Sequence, residues 1–112
     1  MIHWKNLTSI EQLNELVEES EFHPIAIFKH STRCTISDAA KARLERQWDE
    51  SKVPDTSVYY LDLLSYRSIS NAIVDTFNVE HQSPQVILIK NGKSVYDASH
   101  MNIQFESIKS KV

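Results

Sequence analysis

The chain has 112 residues, 41% hydrophobic and 24% charged, with a formal net charge of −3, a size and balance that suit one domain, 1–112, with its own core. Acidic and basic residues are interspersed, so neither nucleic acid nor an anionic membrane surface is an expected partner. No apolar run approaches transmembrane length and the N-terminus lacks the apolar stretch of a signal peptide, while a single cysteine cannot form an internal disulfide and points to a reducing, cytoplasmic setting.

Thr8 to Glu11 has the form of a capping box, in which hydroxyl and carboxylate satisfy each other's backbone donors. Ile10, Leu13, Leu16 and Val17 then mark an amphipathic helix ending near Ser20. Ile25 to Phe28 is an unbroken apolar run after Pro24, the pattern of a strand buried on both faces. A polar turn, Lys29 to Arg33, leads to Cys34. From there the period changes, and Ile36, Ala40, Leu44 and Trp48 predict the apolar face of a long helix reaching about Glu50. Lys41, Arg43 and Arg46 fall on its other side as a solvated face. Lys52 to Asp55 is a turn around Pro54, and Val58 to Leu61 is a second apolar strand.

Arg67 to Phe77 returns to helical spacing through Ile69, Ile73 and Phe77. The polar loop Asn78–Ser83 leads through Pro84 into a third strand, Val86–Ile89. Asn91–Gly92 predicts a type I′ hairpin, its partner strand running over Ser94–Asp97. Asn102 is placed to cap a last helix carrying Ile103 and Ile108. The order α-β-α-β-α-β-β-α predicts parallel strands through the β-α-β-α-β portion and an antiparallel edge from the hairpin. The fold class is thus α/β, with a mixed four-stranded sheet between about four helices.

The sole thiol stands where a buried strand hands over to a long helix. Unpaired backbone N–H groups and the helix dipole favour an anion there, and a thiolate is an anion. Arg33 should favour the thiolate and Asp38, in the first turn, should oppose it. A lone cysteine is commonly a buried small hydrophobe, but the polar neighbours Thr32, Arg33 and Thr35 favour a reactive site. Ser37 either donates to the sulfur or satisfies nearby backbone. Ser83–Pro84 stands immediately before a strand; Pro84 could simply start it, or, in the cis form, could expose the Ser83 backbone to an extended substrate. His81 and Gln82 share that loop. The histidines show no metal-ligand spacing, so no metal site is expected.

A cysteine opening the first crossover helix, Ser-Pro before the third strand and an Asn-Gly hairpin together resemble the thioredoxin fold, which implies a cis Pro84 lying against Cys34. The segments FKHSTRCTIS (28–37), LDLL (61–64) and VEHQSPQV (79–86) resemble more closely the monothiol bacilliredoxins, over Trp4 to about Phe105. Most thioredoxin relatives carry Cys-x-x-Cys with a preceding tryptophan, and this chain has neither. The family's usual site reads TCPIS; here Arg33 precedes the cysteine and Thr35 replaces the proline, a residue pre-set for a first helical turn. Ser37 stands where a dithiol enzyme has its resolving cysteine.

The resemblance implies a monothiol disulfide oxidoreductase in which Cys34 removes bacillithiol from protein mixed disulfides. Arg33, Thr35 and Ser37 would tune the thiolate, and Thr32, His81, Gln82, Ser83 and Pro84 would hold substrate. It implies bacillithiolated client proteins and a low-molecular-weight thiol as partners, bacillithiol as co-substrate with no cofactor, and a monomer. The other reading is a binding or stress-response module whose cysteine is modified without turnover.

Overall fold

The chain, described over residues 2–112 in a computed structural model, runs β1 (Trp4–Asn6), α1 (Ile10–Glu19), β2 (Ile25–His30), α2 (Thr35–Gln47), β3 (Ser57–Asp62), α3 (Arg67–Phe77), β4 (Gln85–Lys90), β5 (Lys93–Ser99) and α4 (Phe105–Lys109). The strands form one sheet in the order β1-β3-β2-β4-β5. β2 lies at its centre and is buried at every residue. Its pleat sends Ala26 and Phe28 to one side, where they meet Ala40 and Leu44 of α2 and Phe105 and Ile108 of α4. Ile25 and Ile27 face the other way, onto Leu13 and Leu16 of α1 and Ile69 and Ile73 of α3. Each such fully buried aliphatic side chain contributes roughly 1.5–3 kcal/mol.

Two expectations about the sheet are corrected. It has a fifth strand, β1, parallel to β3. Only three residues long and largely exposed, β1 has no alternation to read; it is held by Trp4, whose ring meets Phe28 and Tyr60 at 5.7 and 6.0 Å. The third predicted strand, β4, is antiparallel to β2 rather than parallel. After α3 ends at Asn78, a left-handed residue with φ 55°, residues 78–83 carry the chain back along the helix. Five extended residues after Asn78 span about 17 Å, enough to retrace an eleven-residue helix of about 16 Å. β4 therefore starts at the edge where β2 ends, with Gln85 opposite Lys29.

Local corrections follow the same logic. The N-cap of α1 is Ser9 rather than Thr8: its side chain accepts from Gln12 N at 3.1 Å, while Gln12 Oε1 accepts from Thr8 N at 2.9 Å. In α2, Ile36 is 59% exposed and the buried positions are Ser37, Ala40 and Leu44. The helix stops at Gln47 and leaves Trp48 against Phe105, ring centroids 4.9 Å apart. Arg43 is no solvated residue: it donates to the carbonyls of Ile103 (3.1 Å) and His100 (2.9 Å). Lys41 lies over the rings of Trp4 and Tyr60. The last helix starts after Gln104, with Asn102 in a short turn before it.

The Asn91–Gly92 turn has φ 53° and 74°, both positive as a type I′ turn demands. It is tied down by Ser20, a buried residue at the end of α1. Ser20 Oγ accepts from Gly92 N at 2.8 Å, and the Ser20 carbonyl accepts from Asn91 N at 2.9 Å. Replacing Ser20 by alanine leaves the Gly92 N–H without its acceptor and should cost about 1–2 kcal/mol. The measurement is the urea unfolding midpoint, which would be unchanged if the tie contributed nothing.

Candidate active site

β2 ends in two ionisable residues that the core does not release. Lys29 and His30 are buried, at 0% and 3% exposure. Residues 31–33 turn away from the strand, and Cys34 N donates to the Ser31 carbonyl at 3.2 Å to close the turn. Cys34 is the N-cap of α2, with extended backbone (φ −117°, ψ 119°), and its carbonyl accepts from Asp38 N at 3.0 Å. Its side chain makes no capping hydrogen bond. A half-buried thiol thus takes the place a serine or aspartate commonly fills, beside the helix's unpaired N–H groups and the positive end of its dipole. Thr35 is the first helical residue, exposed, where a proline would also fit.

Ser37 is fully buried, and its hydroxyl is engaged away from the sulfur. Its Oγ accepts from Ser31 N at 3.1 Å and lies 2.7 Å from His30 Nδ1. His30 Nε2 is 3.2 Å from Asp38 Oδ1. A carboxylate accepts only, so the ring carries its proton on Nε2 and Nδ1 accepts from the Ser37 hydroxyl. The chain of donors runs from the Ser31 N–H through Ser37 to His30 and Asp38. Burial holds the His30 pKa below the usual histidine range, against the pull of Asp38. Of the two readings open for Ser37, the structure shows the one in which it satisfies nearby backbone: the hydroxyl pins the turn before Cys34 to the first turn of α2 and is not free to donate to the sulfur.

The opposite wall is the loop before β4. The Ser83–Pro84 bond is cis. Gln85 pairs with Lys29, so Pro84 follows beside His30, and Ser83 lies at the edge from which the Cys34 turn rises. Gln85, buried, braces the loop from within: its Nε2 donates to the Glu80 carbonyl at 3.0 Å and its Oε1 accepts from Gln82 N at 3.4 Å. Lys29 Nζ lies 3.1 Å from His81 Nδ1. Ser83 Oγ is buried without a hydrogen-bond partner. Thr32 and Arg33, both exposed, line an open depression of about 380 Å³ with Leu64 and Ser65. A larger cleft of about 630 Å³, lined by residues including Lys5, Glu19, His23 and Ser57, lies at the other edge of the sheet, where β2 and β3 begin. It contains none of the predicted site residues.

The structure therefore groups Cys34 with Thr32, Arg33, Thr35 and Ser37 on one side, and His81, Gln82, Ser83 and Pro84 on the other. Lys29 and His30, expected in a polar turn, are instead the buried last residues of β2, and Gln85 is a further addition. Their signal was present: Lys29 and His30 continue an apolar strand without a break, so whatever buries Ile27 and Phe28 buries them too. Among the described residues no cluster of three or more His, Cys, Asp or Glu side chains is placed to hold a metal.

Burial of Lys29 lowers its pKa from 10.5 to about 8. The unfolded chain then binds more protons between these values, so stability rises with pH from about 8 to 10.5. At pH 7 the buried charge should cost on the order of 3 kcal/mol. Lys29→Met should raise stability at pH 7, and its advantage should shrink by pH 9.5 in urea titrations. That window stays below the range in which Tyr59, its pKa raised by burial and by its bond to Glu19, releases a proton on unfolding and so opposes the uptake by Lys29. An advantage independent of pH would show that Lys29 keeps its ordinary pKa in the fold.

The sequence profile described as monothiol bacilliredoxin BrxC matches residues 5–108. A solved structure of a candidate oxidoreductase with a thioredoxin fold is 30% identical, with a TM-score of 0.82 over 96% of this chain and 92% of that one. Thioredoxin from Fasciola hepatica is 18% identical, with a TM-score of 0.75 over 96% of this chain and 99% of that one. Thioredoxin from Malassezia sympodialis is 13% identical, with a TM-score of 0.75 over 98% and 88%. These two share the fold alone. The fold is thioredoxin-like, and the chain belongs to the monothiol bacilliredoxin family.

Proposed function

We propose that the protein is a monothiol disulfide oxidoreductase that removes bacillithiol from protein mixed disulfides through Cys34. One observation carries the reading: a half-exposed thiol caps α2 while the residue three positions on, Ser37, is a buried serine fully engaged with His30 and Ser31. The helix N-terminus favours the thiolate, which is the nucleophile in disulfide exchange. The Cys34 thiolate attacks the bacillithiol sulfur of the mixed disulfide. A new S–S bond forms to Cys34, the old one breaks, and the electron pair leaves on the client thiolate. A second bacillithiol thiolate then attacks the adduct, restoring the Cys34 thiolate and releasing bacillithiol disulfide, which a separate reductase would reduce.

Thr32, Arg33 and the Ser83–Pro84 loop flank the sulfur and would receive the client chain, Ser83 offering its backbone to an extended segment. Arg33 adds positive charge beside the thiolate. The substrates are bacillithiolated proteins and the co-substrate is bacillithiol; the chemistry requires neither metal nor organic cofactor, nucleic acid or membrane. A reducing cytoplasm, with a role in stress defence, suits a monomeric enzyme of this kind. No helix among the described residues is long and apolar enough to cross a membrane.

Bacillithiol disulfide should add a single adduct to the protein by intact mass, persisting until a separate thiol is supplied. Cys34→Ser should take up none. Ser37→Cys should gain a route to an internal disulfide if the two sulfurs meet at helix-turn spacing. An adduct that forms on native protein yet never transfers, whatever the reductant, would leave a binding module modified without turnover.

A further inference from the structure

Lys29 is a buried cation without a counter-ion. Among the described residues no carboxylate lies within ion-pair distance of it, and its side-chain partner is the His81 ring. A lysine only donates, so His81 Nδ1 accepts and the ring proton stands on Nε2. His81 is exposed, which leaves that N–H as a donor at the surface of the loop. Arg67, the first residue of α3, adds positive charge: burial, Lys29 and Arg67 together hold the His81 pKa down. The neighbouring carboxylates are engaged elsewhere. Asp62 accepts from Leu64 N at 3.3 Å and Ser65 Oγ at 2.9 Å, and Asp38 serves His30 on the other face of the sheet. Glu80, adjacent to His81, is exposed and gives its carbonyl to Gln85.

A brace for the loop does not require this charge. Gln85 already ties Glu80 and Gln82 down with a neutral amide. A buried cation without an anion thus stands behind the exposed His81 ring, and a carboxylate at that ring would lie in its field.

Resting on the function proposed above, we propose that Lys29, His81 and Arg67 form a subsite for the carboxylate of the low-molecular-weight thiol that Cys34 takes up. The carboxylate accepts from His81 Nε2 at the surface of the loop, and Lys29 and Arg67 supply the positive potential. Lys29 acts as a positioning residue: it fixes the His81 tautomer and does not itself meet solvent. The subsite lies at the sheet edge from which the Cys34 turn leaves, so a thiol joined to Cys34 would extend its acidic part toward the loop.

The test compares reaction of Cys34 with bacillithiol disulfide, which carries carboxylates, and with hydroxyethyl disulfide, which carries none. The ratio of the two second-order rate constants should fall about tenfold in His81→Ala and in Lys29→Met, the loss expected for one charge-assisted hydrogen bond. It should also fall with added salt in the native protein. An unchanged ratio in both variants would overturn the subsite. A binding arm removes the sulfur chemistry: in Cys34→Ser, reduced bacillithiol should shift the His81 ring resonances saturably, 2-mercaptoethanol should not, and the shift should vanish when Lys29→Met is added. No shift with bacillithiol would overturn the subsite even if turnover proceeds. A saturable shift without turnover in the native protein would uphold the subsite while removing the oxidoreductase reading. A shift from a thiol-free acidic peptide and none from bacillithiol would assign the charge to client proteins and overturn the proposal.

Discussion

Two consecutive side chains of β2 hold the two walls of the site. A strand buried on both faces must bury its last residues as well, and its pleat sends neighbours to opposite sides. Here the last two are Lys29 and His30, so one ionisable group is delivered under each wall. His30 reaches Ser37 and Asp38 in the first turn of α2; Lys29 reaches His81 in the loop before β4. Neither group can leave its partner without becoming an unpaired polar atom in the core, which costs about 1–3 kcal/mol and more for a charge. The relative placement of the Cys34 turn and the cis-proline loop is therefore set by the central strand. Flexible side chains on the surface play little part in it.

This arrangement explains which parts of the molecule were legible in the sequence. Ile25–Phe28, Val58–Leu61 and Arg67–Phe77 follow simple apolar periods, and the structure extends them by only a residue or two or leaves them unchanged. Asn91–Gly92 was legible because positive φ at two successive positions demands that pair of residues. The direction of β4 was not. A helical period says that a helix exists; it does not say whether the following loop continues onward or doubles back, and the length of 78–83 alone decides that. β1 was invisible because three residues cannot display a period, and its pairing is written in β3 rather than in itself.

The site was legible in outline through Cys34 and Pro84 and illegible in its supports. Ile36 and Ser37 show why. An apolar-face count assigns the inward position to Ile36, the more hydrophobic of the two. The helix instead turns Ser37 inward, because the end of β2 presents a histidine nitrogen and the turn presents the Ser31 N–H, and both need a partner that isoleucine cannot supply. Ile36 is left in water beside Cys34. Tertiary polar demand overrode local hydrophobic preference, and that demand arises from residues seven and six positions earlier, outside any helical window.

The same residue bears on why a single thiol suffices. Ser37 is a structural member of its wall: its hydroxyl both accepts from Ser31 and donates to His30, two bonds on one small atom. A thiol is a weak donor and a weak acceptor on a larger atom, so a cysteine there would loosen the link that fixes the Cys34 turn. An internal resolving sulfur and a rigid support for the attacking one compete for the same position. This chain has the support. With no second thiol to close a ring, whatever sulfur is joined to Cys34 remains until another molecule arrives, and specificity then rests on how well the surrounding walls hold the adduct meanwhile. A neutral wall would hold it by contact alone. On the subsite proposed above, the wall carrying Lys29 would hold an anion better than a neutral guest of the same shape, a difference electrostatic in origin.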